Sequence, residues 1–484
     1  MNDNRKTVFS NLIWRFMERC GAQLVSFVVS VVLARLLEPE LYGTIALVTV
    51  ITSILQVFVD SGMANALIQK KDTDNLDYSS VFYFNVAFCL VLYAGLFFAA
   101  PLINRLYGHT DLVPVIRVLG LTIVVAGVKN VQQAYVAKTM QFRRFFFSTL
   151  GGTIFSAAVG IAMAYSGYGI WALVAQQLLN VTVNTAILWL TVGWKPQRIF
   201  SFKRLGGLIS YGWKLLVSAL LDTVYLKLSQ LVIGLKYTSS DLAYYNKGDQ
   251  LCLLVVENIN SSIDSVLLPV LSAEQDDRMH VREMTRRAIK TSSYIMMPLM
   301  MGMAVCAEPL IRILLTEKWV PCVPYMQVFC AMYAFYPLHT ANLNAIKAMG
   351  HSGIFLKLEI IKEIVGIGLI FAAMGVSVYA VALSQFVSGL ISLVINAWPN
   401  RKLLSYTLLN QLRDMLPAIL LACLMGACIY PVKWLALNDW LTLLIQVPLG
   451  VLIYIGGSVL FRVDSFSFML DVVRRLTSRR GAEN

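Results

Sequence analysis

Apolar runs of about 20 residues, each bounded by a few charged or turn-forming positions, recur along the whole chain. They begin near Val8, Tyr42, Ser79, Val113, Phe146, Gly169, Gly207, Leu242, Thr291, Val323, Phe355, Ser377, Met415 and Leu441. A helix rises about 1.5 Å per residue, so each run can cross a hydrocarbon core of about 30 Å. The pattern predicts an all-α polytopic membrane protein with about fourteen transmembrane helices.

Some runs are polar on one side. Val8 to Leu37 carries Arg15, Glu18 and Arg19, and at 100° per residue Arg15, Arg19, Ser26 and Ser30 fall within roughly 60° of one another. An ionised side chain at the bilayer centre costs roughly 2.5 to 3.5 kcal/mol even on the lenient insertion scale. The stripe therefore predicts one wall of an aqueous, cationic chamber. Lys214, Ser218, Asp222, Tyr225 and Ser229 share an arc of about 80° in a later run. In the next run Asn246, Gln250, Glu257, Asn260, Ser261 and Asp264 share about 100°, and Thr49, Ser53, Gln56 and Asp60 cluster likewise in the first half. Pairing between helices, and snorkelling of Arg15 and Arg19 to the headgroups, are the alternative readings.

Sequence likeness at an offset of about 200 residues organises the runs. Leu41-Tyr42-Gly43 resembles Leu242-Ala243-Tyr244, and Lys138-Thr139-Met140 resembles Lys347-Ala348-Met349. Two halves of six spans are expected, residues 1–200 and 201–400, with two further spans and a tail in 401–484. Placing the N-terminus inside puts Lys70-Lys71, Lys138/Arg143/Arg144, the segment 278–290 and the Arg-rich tail in the cytoplasm. Positive-inside bias thus predicts both termini there. The mixed-sign segment 273–290 reads as an amphipathic helix lying on that face, or as a plain linker.

Composition agrees: 58% hydrophobic, 14% charged, mean hydropathy +0.68. The net charge of +13 is explained by basic membrane loops rather than by nucleic acid, which is not expected as a partner. Eight cysteines without a CxxC pair, and four scattered histidines, support neither a disulfide framework nor a metal site. Cofactors are not expected, and His339, near Asn342 and Asn344, is read as a packing hydrogen bond. Trp194, Trp319, Trp434 and Trp440 are read as interfacial belt residues. A polar chamber of this kind suits an anionic headgroup. Arginine offers phosphate a fixed fork of donors, and carboxylates can hold those cations between cargoes or carry protons.

The strings LARLLEPELYGTIAL (33–47), DSGMANALIQKK (60–71), AKTMQFRRF (137–145), ISYGWKLL (209–216), LAYYNKGDQL (242–251), LLPVLSAEQDD (267–277) and EKW (317–319) carry a family resemblance. Together they are similar to the Wzx-type oligosaccharide flippases of the multidrug/oligosaccharidyl-lipid/polysaccharide exporters, over nearly the whole chain. The resemblance implies two six-helix lobes plus two C-terminal helices, alternating access, and an undecaprenyl-diphosphate-linked oligosaccharide as cargo for capsule, exopolysaccharide or O-antigen assembly. It implies Arg15, Arg19, Lys214 and Lys247, with Gln250 and Asn260, as cargo-binding candidates. Glu18, Asp60, Asp222, Glu257 and Asp264 are the candidates for charge pairing or coupling. A monomer in the bacterial inner membrane, in contact with membrane lipids and working beside a polysaccharide polymerase, is the expected unit. Val8 to Leu37 lacks the Pro and Asp that many related drug exporters carry there, which weakens a drug-antiport reading. A multidrug or lipid II exporter is the alternative within the class. A membrane polymerase or ligase is the alternative outside it, and the short outer loops disfavour it. No enzymatic activity is expected.

Overall fold

The structure of the protein, a computed structural model, describes residues 2–60, 63–70, 72–108 and 112–470; at 2–13, 15–16, 18–20, 211 and 214 it describes the backbone. Among the described residues all regular structure is helical. The chain divides into two compact units, Met1–Ala243 and Tyr244–Asn484.

The first unit holds α1 (Asn2–Leu36), α2 (Pro39–Asp60), α3 (Met63–Gln69), α4 (Asn75–Tyr107), α5 (Leu112–Lys138), α6 (Phe142–Tyr165), α7 (Ile170–Thr191) and α8 (Phe202–Lys236). α6 packs on α7 and α1, α5 on α4, α7 and α2, and α8 on α2 and α3. Small residues allow the tightest of these approaches. A Cβ at Gly152 of α6 would stand 2.9 Å from the Asn180 carbonyl oxygen on α7. The apolar interior includes Val29, Leu33, Leu119 and Ile123, each almost fully buried.

The start of α9 (Ser239–Ala273) closes the first unit. The remainder of α9 opens the second, followed by α10 (Arg278–Val305), α11 (Ala307–Leu314), α12 (Val323–Tyr333) and α13 (Tyr336–Ala348). α14 (Ser352–Ala373), α15 (Val378–Leu403), α16 (Leu408–Ile429) and α17 (Asp439–Leu460) complete it. Here α10 packs on α16, α12, α13 and α17, and α15 on α12, α13 and α14. Starts are set by side-chain caps that satisfy orphan N–H groups. The Asp74 carboxylate accepts from the Asp77 N–H in a capping box, and Asp277, Ser377, Thr407 and Asn438 cap α10, α15, α16 and α17. The Asp77 N–H, and then the nearby Arg204 guanidinium, hold the Asp74 carboxyl below the usual carboxylate range.

Ten helices among the described residues are long and apolar enough to cross a membrane, and eleven when α10 and α11, bent by 71°, count as one span. The three further segments of the expected fourteen are helical but miss that threshold for identifiable reasons. In α1 the stretch Gly21–Leu36, whose side chains are described, is apolar but short, α12 and α13 are two short pieces broken at Ala334-Phe335, and α14 carries Lys357, Glu359, Lys362 and Glu363. The chain is a multi-pass helical membrane protein. The offset seen in sequence recurs in the backbone: α1 and α2 are joined by Leu37-Glu38 alone, and α8 and α9 by Tyr237-Thr238 alone. Segment 273–290 corrects the expectation of a helix lying flat. After a turn at 274–277, residues 278–290 form a helix capped by Asp277 that continues without a break into the apolar part of α10.

Candidate functional site

Of the polar arc expected on α9, Asn260 and Asp264 meet α13, and Asp249, outside that arc, meets α12. The Tyr333 hydroxyl donates to Asp249 at 2.7 Å, Thr340 donates to Asn260 Oδ1 at 3.4 Å, and Asn344 donates to Asp264 at 2.6 Å. Spacings of eleven and four residues put these acceptors along one side of the helix. Asn260 is 6% exposed, and its amide Nδ2 has no hydrogen-bond partner among the described residues. Glu257, on the same arc, is exposed and has no ion-pair partner among the described residues.

Lys247 points into packed protein. It is 5% exposed, donates to Gln250 Oε1 at 3.2 Å, and its ammonium lies 5.7 Å from the centroid of the Trp319 ring. Such a distance is within cation–π range, so the charge is held by an amide and an aromatic face. Room for it comes from Gly248, where a Cβ would stand 2.8 Å from the Met326 backbone nitrogen on α12. Gln250 itself is exposed.

In the first unit Asp60, at the end of α2, accepts from Gln56 at 3.1 Å and from Asn130 at 3.2 Å. Asn130 also donates to the Val59 carbonyl and accepts from Asn85, so the carboxylate sits at the end of a buried amide chain. Asp222 is exposed on α8 and has no ion-pair partner among the described residues. The side chains of Arg15, Glu18, Arg19 and Lys214 lie outside the described residues, although their helices, α1 and α8, are formed. The structure thus brings Asn260 and Asp264 onto α13 and Lys247 onto Gln250, and leaves Glu257 and Asp222 free of ion pairs among the described residues.

Other polar constellations escaped the sequence reading. Asn342 of α13 donates to Gln411 at 2.8 Å and accepts from Asn400 at 2.6 Å, which knits α13, α15 and α16 together in a buried cluster. Asp414 of α16 accepts two bonds from Arg286 at 2.8 Å each and one from Tyr406 at 2.7 Å. In the first unit the fully buried Asp77 meets Lys70 at 2.5 Å and Arg204 at 3.6 Å, while Lys138 donates to the Leu67 and Lys70 carbonyls and to Thr73. Lys70 and Lys138 belong to the resembling strings, so those strings mark in part a structural knot. His339 behaves as expected, hydrogen-bonded to Asn396 at 2.9 Å. The aromatic reading needs correction: Trp434 and Trp440 are exposed, whereas Trp194 and Trp319 are 6% and 0% exposed and anchor cores. The Trp194 indole N–H donates to Asn75 Oδ1. Of the described cysteines, Cys89, Cys252, Cys306, Cys322 and Cys330 are buried packing residues.

Comparison with known proteins bears on what such an assembly is for. Over 476 residues, 97% of this chain and 96% of that protein, it is 22% identical to the succinoglycan biosynthesis transport protein ExoT of Rhizobium meliloti (strain 1021). It is 21% identical over 411 residues to the teichuronic acid biosynthesis protein TuaB of Bacillus subtilis (strain 168), covering 84% of this chain and 85% of that one. The lipopolysaccharide biosynthesis protein WzxC of Escherichia coli (strain K12) is 24% identical over 309 residues, 62% of each chain. Among solved structures, the lipid II flippase MurJ in an inward closed conformation superposes with a TM-score of 0.78 at 16% identity, over 93% of this chain and 99% of that one. An inward-facing MATE family multidrug transporter gives 0.63 at 14% identity, over 79% and 94%. At these identities the structures establish the fold they share with this chain. A family model described as polysaccharide biosynthesis protein matches residues 32–324, more than half of the chain, and the protein therefore belongs to that family.

Proposed function

We propose that the protein moves an undecaprenyl-diphosphate-linked oligosaccharide from the inner to the outer leaflet of the bacterial inner membrane by alternating access, supplying surface polysaccharide assembly. The observation that carries this reading is family membership joined to an end-to-end relationship with a protein named for succinoglycan transport. The shared fold of a lipid flippase and a multidrug transporter supports a carrier rather than an enzyme. The chemistry is compatible, since guanidinium groups pair with phosphate oxygens in a fixed fork. Arg15 and Arg19 would receive the diphosphate, Lys214 would join them, and Asp60, Asp222, Glu257 and Asp264 would balance or couple the charge. Positive-inside bias supports cytoplasmic termini. The working unit would be a monomer handing its cargo to a polymerase.

The test is complementation. A deletion strain should lose surface polysaccharide and regain it with the wild-type gene but not with Arg15→Gln/Arg19→Gln at equal protein level. Unchanged export in the double variant would remove the diphosphate role from these residues. A deletion that alters drug tolerance or peptidoglycan instead would favour another exporter, and glycan joining by the purified protein would favour a polymerase or ligase.

A further inference from the structure

A groove of about 570 Å³ opens in the second unit between α16 and the end of α17. Its wall is a stripe along α16, Leu416, Leu420 and Leu424, joined by Phe461, and all four are exposed, from 45% to 64%. Spacings of four residues keep the leucines in one line. From Arg413 to Leu424 the line runs about 16 Å along the helix axis, most of the length of an acyl chain.

The mouth of the groove is charged. Lys290, Arg413 and Arg462 line it, together with Asp414 and Asp464. Asp414 is engaged by Arg286, and Lys290 lies 3.3 Å from Asp464. Arg413 and Arg462 are exposed, and neither has a carboxylate within ion-pair distance among the described residues. With Arg286, which neutralises Asp414, four cations stand against two carboxylates, and the two positive charges left over sit on Arg413 and Arg462. Two unpaired guanidiniums at the head of an apolar stripe suit a phosphate headgroup with an acyl chain below it.

The backbone under Arg462 points the same way. α17 ends with the Val463 N–H bonded to the Ser458 carbonyl at 3.0 Å, and Arg462 sits at φ +48. This is the left-handed position after a helix that glycine ordinarily fills. An arginine there accepts backbone strain while placing a guanidinium at the mouth of the groove.

We infer that this groove holds an anionic two-chain glycerophospholipid, with its phosphate between Arg413 and Arg462 and one acyl chain along Leu416, Leu420 and Leu424. This lipid is a resident of the fold, distinct from any transported cargo. Basic residues beside apolar helix surface at a membrane interface recognise anionic headgroups in this way.

The test uses the purified full-length protein, delipidated in detergent and offered dioleoyl phosphatidylglycerol, dioleoyl phosphatidylcholine and farnesyl diphosphate. Native mass spectrometry counts the adducts, with no need for transport, so the result stands apart from the flippase reading. Each arginine should contribute on the order of five-fold preference for phosphatidylglycerol over phosphatidylcholine. Arg462→Gly, which relaxes the turn, should lose that share while keeping or raising the melting temperature, and Arg413→Gln/Arg462→Gly should bring the two lipids to parity. Equal retention of both lipids by the wild type would reduce the groove to ordinary annular contact and overturn the inference. So would a preference that survives in both variants, or tighter retention of farnesyl diphosphate than of phosphatidylglycerol that depends on these arginines.

Discussion

Replacing Asp414 with Asn should uncouple α16 from α10, and the size of the effect follows from how the site is buried. The carboxylate is 9% exposed and the Arg286 side chain 44%. Arg286 donates twice, from Nε and Nη2, each at 2.8 Å, Tyr406 donates at 2.7 Å, and Lys290 stands at 3.6 Å. An exposed pair is worth about 0 to 1 kcal/mol, and breaking a buried one costs about 3 to 5. Here the anion is buried and the cation half in water, so the stranded guanidinium can rehydrate. The loss should therefore lie between these limits, at about 2 kcal/mol. Unfolding of the purified protein in detergent, measured for Asp414→Asn, Arg286→Gln and the double variant, isolates the pairwise term. We expect a coupling of about 1 to 2 kcal/mol, whereas less than about 0.5 would refute the reasoning. Burial, and then donation to Asp414, raise the Tyr406 hydroxyl above its ordinary pKa of 10.0. A raised value means that its contribution is complete below the ordinary value and is lost as pH rises beyond it. The coupling should accordingly be constant between about pH 6 and 9.

Two further outcomes follow from the same geometry. Asp77→Ala removes a fully buried anion shared by Lys70 and Arg204, and should cost about 3 kcal/mol, with Lys70→Met partly rescuing the loss; equal stability of wild type and single variant would show the knot to be idle. Glu257→Gln should change unfolding by less than about 0.5 kcal/mol, because the carboxylate is exposed and has no ion-pair partner among the described residues. If Glu257 serves the transport cycle, polysaccharide export at matched protein level should nevertheless fall; full export would take it out of the coupling set.

Spans were legible because an apolar run of about 20 residues matches the thickness of a bilayer and exceeds what a buried core helix ordinarily needs. Even α14 could be found despite Lys357, Glu359, Lys362 and Glu363. A charge count penalises that helix, but Lys362 and Glu359 pair at 2.7 Å along it and so soften the penalty. Partners across the fold were not legible. Asn342 and Gln411 are 69 positions apart, and Arg286 and Asp414 are 128 apart; nothing local in the sequence announces which polar residue another will meet. Periodicity correctly put Asn260 and Asp264 on one side of α9, but it is silent on whether that side faces water or α13. Trp194 and Trp319 show the same limit, since a tryptophan near the end of an apolar run can mark the headgroup layer or fill a core.

The two-residue connections between α1 and α2, and between α8 and α9, restrict how these helices can move. Two connecting residues give three Cα steps, at most about 11 Å when fully extended, so neither helix can slide past its successor like a piston by more than about two turns. Large relative displacement within each pair has to be a swing about a nearly fixed pivot, and stiffening Leu37-Glu38 or Tyr237-Thr238 would brake it directly.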